Sequence, residues 1–221
     1  MEPPAPETLR RVRPQFFARD PREVARALLG TLIVSSARGA VTGGRIVETE
    51  AYLGSDDPGS HAATKGMTAR NSVMYGPPGS VYVYFTYGNH HMLNLVCSPE
   101  GVAGAVLIRA LEPLIGLGAM RSRRGRRNLN ELTSGPGRLA EALGVDLSDN
   151  GTRLGEGRLV VYHWEGPAEG DVAVSGRVGL SSGHELDYRY YLADSPFVSR
   201  ARTGARTAKR ARGVRDERTE P

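Results

Sequence analysis

The sequence predicts a single α+β domain, built mostly from antiparallel strands with a few flanking helices. Three observations carry this. Runs rich in β-branched and aromatic residues (TLIVSS, RIVETEAY, VYVYFTY, GAVLIRALEPL) alternate with turn residues, as strands of a meandering sheet do. Only a few segments carry helix start and stop signals. A chain of 221 residues suits one domain and is tight for two, and 39% hydrophobic residues suffice for a core without a disulfide or metal staple.

Residues 1–14 are rich in proline and charge and read as a loose lead-in; 15–199 form the domain. Asp20-Pro21-Arg22-Glu23 starts a helix, with Asp20 as cap, Pro21 in the first turn and Glu23 closing a capping box; Gly30 is its stop. TLIVSS and GGRIVETEAYLG are two strands joined around Arg38-Gly39. Residues 53–79, full of Gly, Pro, Ser and Asp, read as one long irregular loop, and a loop of that length in a compact domain is functional or disordered. VYVYFTY (81–87), a tight turn at Gly88-Asn89 and HHMLNLVC form a hairpin. GAVLIRALEPL is a strand running into a proline stop. IGLGAMRSRRGRR has helical character weakened by its glycines, and Ser134-Gly135-Pro136 starts a helix that Gly144 ends. Further strands fall near RLVVYH, VAVSGRVGL and ELDYRYYLA. From Arg200 to Pro221 the chain is basic and poor in apolar residues, and is expected to be a disordered tail able to touch DNA.

The net charge is +5, and of 29 basic residues only Lys65 and Lys209 are lysine. An arginine-rich basic surface fits a polyanionic partner; a GC-rich genome would produce the same bias, and composition alone leaves both open. The single cysteine, Cys97, follows an apolar run and reads as a buried structural thiol. It excludes an internal disulfide or a multi-cysteine metal site. There is no apolar leader and no stretch long enough to span a bilayer, so the expectation is a soluble intracellular protein.

On a strand, Glu48, Glu50 and Tyr52 share a face. Two carboxylates beside a tyrosine can form an acid/base site, or merely the solvent face of an edge strand. His61 stands among small residues with no apolar face to fill. Tyr82 and Tyr84 share a face of the hairpin, with Tyr87 at its turn and Asn94 on the return strand. Such rings pack in cores, but in a basic protein they also stack on bases. The residues by themselves leave open an enzyme, a non-catalytic nucleic-acid-binding module on the same scaffold, or a glycosidase of free nucleosides. A module that only grips backbone has no need of Glu50 together with Tyr52, His61 and Asn94. His90 and His91 are adjacent on a strand and face opposite ways, which argues against a metal site with His61.

RIVETEAYLG, the His at 61, ARN, PPGSVYVYFTYG, the Asn at 94, LIRALEPL and SGPGRL, in this order, closely resemble the alkyladenine (3-methyladenine) DNA glycosylase family across roughly residues 15–200. The resemblance implies a curved antiparallel sheet with flanking helices and a protruding hairpin that intercalates into DNA. It implies a base-excision-repair enzyme that flips alkylated or deaminated purines and hydrolyses the N-glycosidic bond with an activated water. Its substrate is duplex DNA, and a monomer without metal or cofactor is expected. Glu50 matches the general base, and Arg109 an arginine near the catalytic water and the target phosphate. Tyr52, His61 and Tyr84 match the lining of the flipped-base pocket. Asn94 matches the residue that crowds a purine 2-amino group. Tyr87 matches the side chain that wedges into the minor groove, and Arg138 a backbone contact near a helix start. Glu48 is a structural neighbour. The chain departs from the family at Asn89, His90 and His91, where more apolar or aromatic residues are usual. The segment Gly179–Ser181 falls near the pocket only by a loose match. Lys65, Lys209 and the N-terminus are the only amines for a Schiff-base route, and the resemblance argues for water instead.

Overall fold

A computed structural model of the chain describes residues 5–86, 88–166, 170–199 and 209–210. Helix α1 (Pro21–Ala27) starts as its sequence dictates, with the Asp20 carboxylate accepting from the Arg22 amide at 2.8 Å and Pro21 in the first turn. The cap runs through Arg22 rather than through the reciprocal Glu23 bond of a capping box. The helix ends at Ala27, and Gly30, at φ +82°, turns the chain into β1 (Leu32–Ser35).

The spine of the sheet is β2 (Thr42–Tyr52). One of its edges pairs with β5 (Ala105–Ile115). The other pairs first with β1, over Thr42 to Arg45, and then with β8 (Arg189–Leu192), over Glu48 to Glu50. Beyond β5 lie β4 (His90–Val96) and β3 (Val81–Thr86), and beyond β8 lies β7 (Val172–Ser175); β6 (Leu159–Tyr162) pairs with β1. All these pairings are antiparallel. Because β2 is central, Glu48 and Glu50 are fully buried, and the alternative of a solvent-facing edge strand falls.

Two layers cover the sheet. α1, α3 (Leu117–Arg124) and α4 (Pro136–Leu143) close one face over a core that includes Leu28, Ile46, Leu93, Ile108 and Leu139. Thr49 ties β2 to this layer by donating to the Ala25 carbonyl at 2.8 Å. On the other face a smaller cluster of Ala62, Met74, Tyr82, Val96 and Ala105 packs under α2 (His61–Lys65) and a 3-10 turn at Ser72–Tyr75. Segment 53–79 therefore holds two short helical elements where one irregular loop is expected. Ser60 caps α2 through the Ala62 amide, a local signal that the many glycines and prolines mask.

Other boundaries shift for identifiable reasons. β5 continues through Pro113, which pairs with Gly44 at a register irregularity where a missing N–H is tolerated. β7 stops at Ser175, and the following residues turn toward the site instead of extending the strand. β3 runs from Val81 to Thr86; Tyr87 lies outside the described residues. Most of the basic tail does too, while Lys209–Arg210 form β9, a two-residue strand on β7. Cys97 is buried, and burial pushes its thiol well above the ordinary value. Among the described residues no helix is long and apolar enough to cross a membrane.

Candidate active site

One register row of the sheet lays out the site. Tyr82 pairs with Asn94, Asn94 with Leu107, Leu107 with Glu50, and Glu50 with Arg189. Residues in register share a face, so five strands deliver these side chains to the same side.

The floor is a buried charge network. In β5, Ile108 pairs with Thr49 and Ala110 with Glu48, which leaves Arg109 as the extra residue of a β-bulge. A bulge re-aims the side chain it carries, and here the guanidinium reaches both carboxylates. Nε donates to Glu48 at 2.9 Å and Nη1 to Glu50 at 3.1 Å. Glu48 also accepts from Arg189 Nε at 2.7 Å, from the Ser199 amide at 2.7 Å and from the Ser199 hydroxyl at 2.8 Å. Burial alone would raise its pKa, but the two guanidiniums and these donors outweigh it and hold Glu48 below the ordinary carboxylate value. The Arg109 guanidinium is pushed the other way: its two carboxylate neighbours overcome its own burial and raise it.

Glu50 stands between floor and pocket. Its Oε2 accepts from the Tyr52 hydroxyl at 2.9 Å and from Arg109; its Oε1 accepts from the Val178 amide at 2.7 Å. A carboxylate oxygen has two lone pairs, so Oε1 keeps one for a further donor such as water. Burial, with Glu50 and Tyr84 nearby, drives the Tyr52 pKa well above 10, so its hydroxyl stays protonated as the donor.

Above Tyr52 lies a cavity of about 60 Å³ lined by Tyr52, His61, Tyr82, Tyr84, Asn94 and Leu180, among others. The His61 ring meets Tyr84 edge-on at 4.7 Å between centroids. His61 Nδ1 and the Tyr82 hydroxyl share a 3.1 Å hydrogen bond whose direction follows the imidazole tautomer. Burial and the nearby Arg70 lower the His61 pKa, which keeps the ring neutral at neutral pH. Asn94 spends its amide hydrogens on the carbonyls of Tyr82 and Met92, at 3.1 and 3.2 Å, so only its oxygen remains to face a ligand.

The structure thus brings together Glu50, Arg109, Tyr52, His61, Tyr84 and Asn94. Arg138 is not among them. It is exposed on the first turn of α4, close to Ser134, and lies next to Gly137, where a Cβ would come within 2.7 Å of the His90 ring. That contact seats the turn end of the hairpin, where His90 pairs with Thr86, on α4 and gives His90 a packing role; the His91 ring meets the exposed Phe85 at a tilt, 5.1 Å between centroids. Sequence reasoning missed Arg189, Ser199, Val178, Asp57 and Arg177 as partners of the site, and did not assign Tyr82 to the pocket. The two-residue spacing of Tyr82 and Tyr84 was the available signal for Tyr82. The others had none, because each reaches the site from more than a hundred positions away or through a loop.

The family model for methylpurine-DNA glycosylases matches residues 15–196. A protein of Chlorobium luteolum is 47% identical over 189 residues, covering 85% of this chain and 96% of that one. A protein of Chlorobaculum parvum is 46% identical over 204 residues, covering 91% and 97%. Both bear the name "Putative 3-methyladenine DNA glycosylase". This chain belongs to the methylpurine-DNA glycosylase family and is a DNA glycosylase, a hydrolase of N-glycosyl bonds in base-excision repair.

Proposed function

We propose that this member of the family flips alkylated or deaminated purines out of duplex DNA and excises them with a water activated by Glu50, leaving an abasic site. The lesions are of the 3-methyladenine, 7-methylguanine, hypoxanthine and ethenoadenine class. The observation that carries the reading is a buried carboxylate, linked through the Tyr52 hydroxyl to an aromatic cavity and backed by Arg109. Leaving of the purine builds oxocarbenium character at C1′. A fixed carboxylate helps twice there, by taking a proton from water and by stabilising positive charge.

Tyr52, His61 and Tyr84 supply ring surfaces for the flipped base, and electron-poor alkylated purines stack well on tyrosine. Asn94 crowds the 2-amino position of guanine and so disfavours the normal base by repulsion. Tyr87 fills the gap in the duplex, and Arg138 contacts the phosphate backbone. The protein acts as a monomer, on DNA inside the cell, without metal or cofactor.

Base release from duplexes each carrying one lesion tests this, with Glu50→Gln as the control. The variant should keep duplex binding and lose release by about 100- to 10,000-fold, the range of general-base contributions. Near-normal single-turnover excision by Glu50→Gln would remove Glu50 from the role, and borohydride trapping of a covalent DNA adduct would replace water by an amine.

A further inference from the structure

Behind the pocket lies a second buried ion pair that the reaction does not use directly. Arg177 and Asp57 are 0% and 1% exposed, and they pair fork to fork, with Nη1 donating to Oδ2 at 2.6 Å and Nη2 to Oδ1 at 2.5 Å. The same two nitrogens donate to the Ala51 carbonyl at 3.0 Å and the Gly183 carbonyl at 3.1 Å. Asp57 accepts in turn from the amides of Leu53 and Gly59, both at 3.0 Å. The guanidinium lies 4.7 Å from the centre of the Tyr52 ring and 5.2 Å from that of Tyr188. The residue after Arg177 is Val178, whose amide holds Glu50.

The backbone makes room for this group. A Cβ on Gly59 would stand 2.5 Å from Arg177 Nη2, and one on Gly183 would stand 2.8 Å from it, at a φ of +70° that already favours glycine. Stability does not account for the arrangement. A buried ion pair roughly breaks even against apolar residues of equal volume, and Arg177 Nε is buried without a hydrogen-bond partner among the described residues, a further cost. What the pair does is join three segments, the end of β2, the 53–60 loop and the 177–183 turn, at the point where they hold Tyr52 and Glu50.

We propose that Asp57 and Arg177 are positioning residues for base release: together they fix the Tyr52 ring from behind and the Val178 amide against Glu50. This rests on Glu50 and Tyr52 acting as proposed above. Both residues act through others, so the rate of the chemical step depends on them while the grip on DNA does not.

The test compares Asp57→Asn, Arg177→Lys and the apolar pair Asp57→Leu/Arg177→Met with the wild type. Single-turnover release is measured against enzyme concentration, alongside thermal melting. The maximal rate should fall about 100-fold, the effect of a misplacement near 1 Å, with the half-saturating concentration unchanged. The apolar pair should melt at or above the wild-type temperature and still be slow. A wild-type rate in the apolar pair, a change confined to half-saturation, or losses that merely follow the folded fraction would overturn the proposal. A wild type that releases no base from any lesion duplex would sink the glycosidic reading of Glu50 instead, so the two failures are distinguishable.

Discussion

The floor of the site and its outer wall are built on opposite principles. In the floor, Glu48, Glu50, Arg109 and Arg189 are all at most 6% exposed, and Glu48 alone takes donors from Arg109, Arg189 and both groups of Ser199. At the wall and hairpin, His61 and Phe85 are exposed and meet their neighbours ring to ring. The contrast follows from what each part must do. Groups facing a developing charge are useful only if they are already oriented, since reorientation during the reaction would raise the barrier. Under the function proposed above, the wall groups receive a base and must part and close around it, and ring contacts joined by the His61–Tyr82 hydrogen bond leave little directional bonding to break.

The largest expected break in that contrast is Glu48→Gln. It removes one anion from between two guanidiniums, and breaking a buried pair this way costs about 3–5 kcal/mol. Denaturant unfolding should register the loss, with excision by the folded fraction reduced as Arg109 shifts. A variant as stable as the wild type would mean that the floor is not an electrostatic unit.

Acid sharpens the comparison. Glu48 and Asp57 are held below their ordinary values of 4.5 and 3.8, in each case because arginine partners outweigh burial. The unfolded chain therefore takes up these protons first. Their stabilisation is fully present above the ordinary values and is lost as pH falls through the folded ones. His61, lowered from 6.5 by burial and then by Arg70, works in the same direction from a higher pH: the unfolded histidine charges first, so stability declines as pH drops below that value. Acid unfolding of the wild type should be steeper than that of Glu48→Gln below pH 4.5; parallel curves would remove Glu48 as a source of the dependence.

The smallest effect is expected at the rim. Arg138→Ala should leave maximal excision unchanged and lower the slope of log affinity against log salt by about 0.9, the contribution of one phosphate contact. An unchanged slope would show that this exposed arginine only solvates α4.

Much of this molecule was legible from the chain. Period-two alternation marked β2 and the hairpin, Asp20-Pro21 marked α1, and Pro136 with Gly144 bracketed α4, because each signal is local and a few residues long. The resemblance, resting on blocks such as RIVETEAY and LIRALEPL, singled out Tyr52, His61, Tyr84 and Asn94, which line one cavity, whereas Arg138 lies apart from it and Tyr87 falls outside the described residues. Only the tertiary structure decided what surrounds Glu48 and Glu50. Arg189 and Ser199 reach Glu48 from 141 and 151 positions away, and Arg177 reaches Asp57 from 120. The bulge that aims Arg109 exists only once β5 pairs with β2. Alternation says which residues share a face. It does not say whether that face meets water or three arginines, because strand order, and with it burial, is settled by pairing between distant segments.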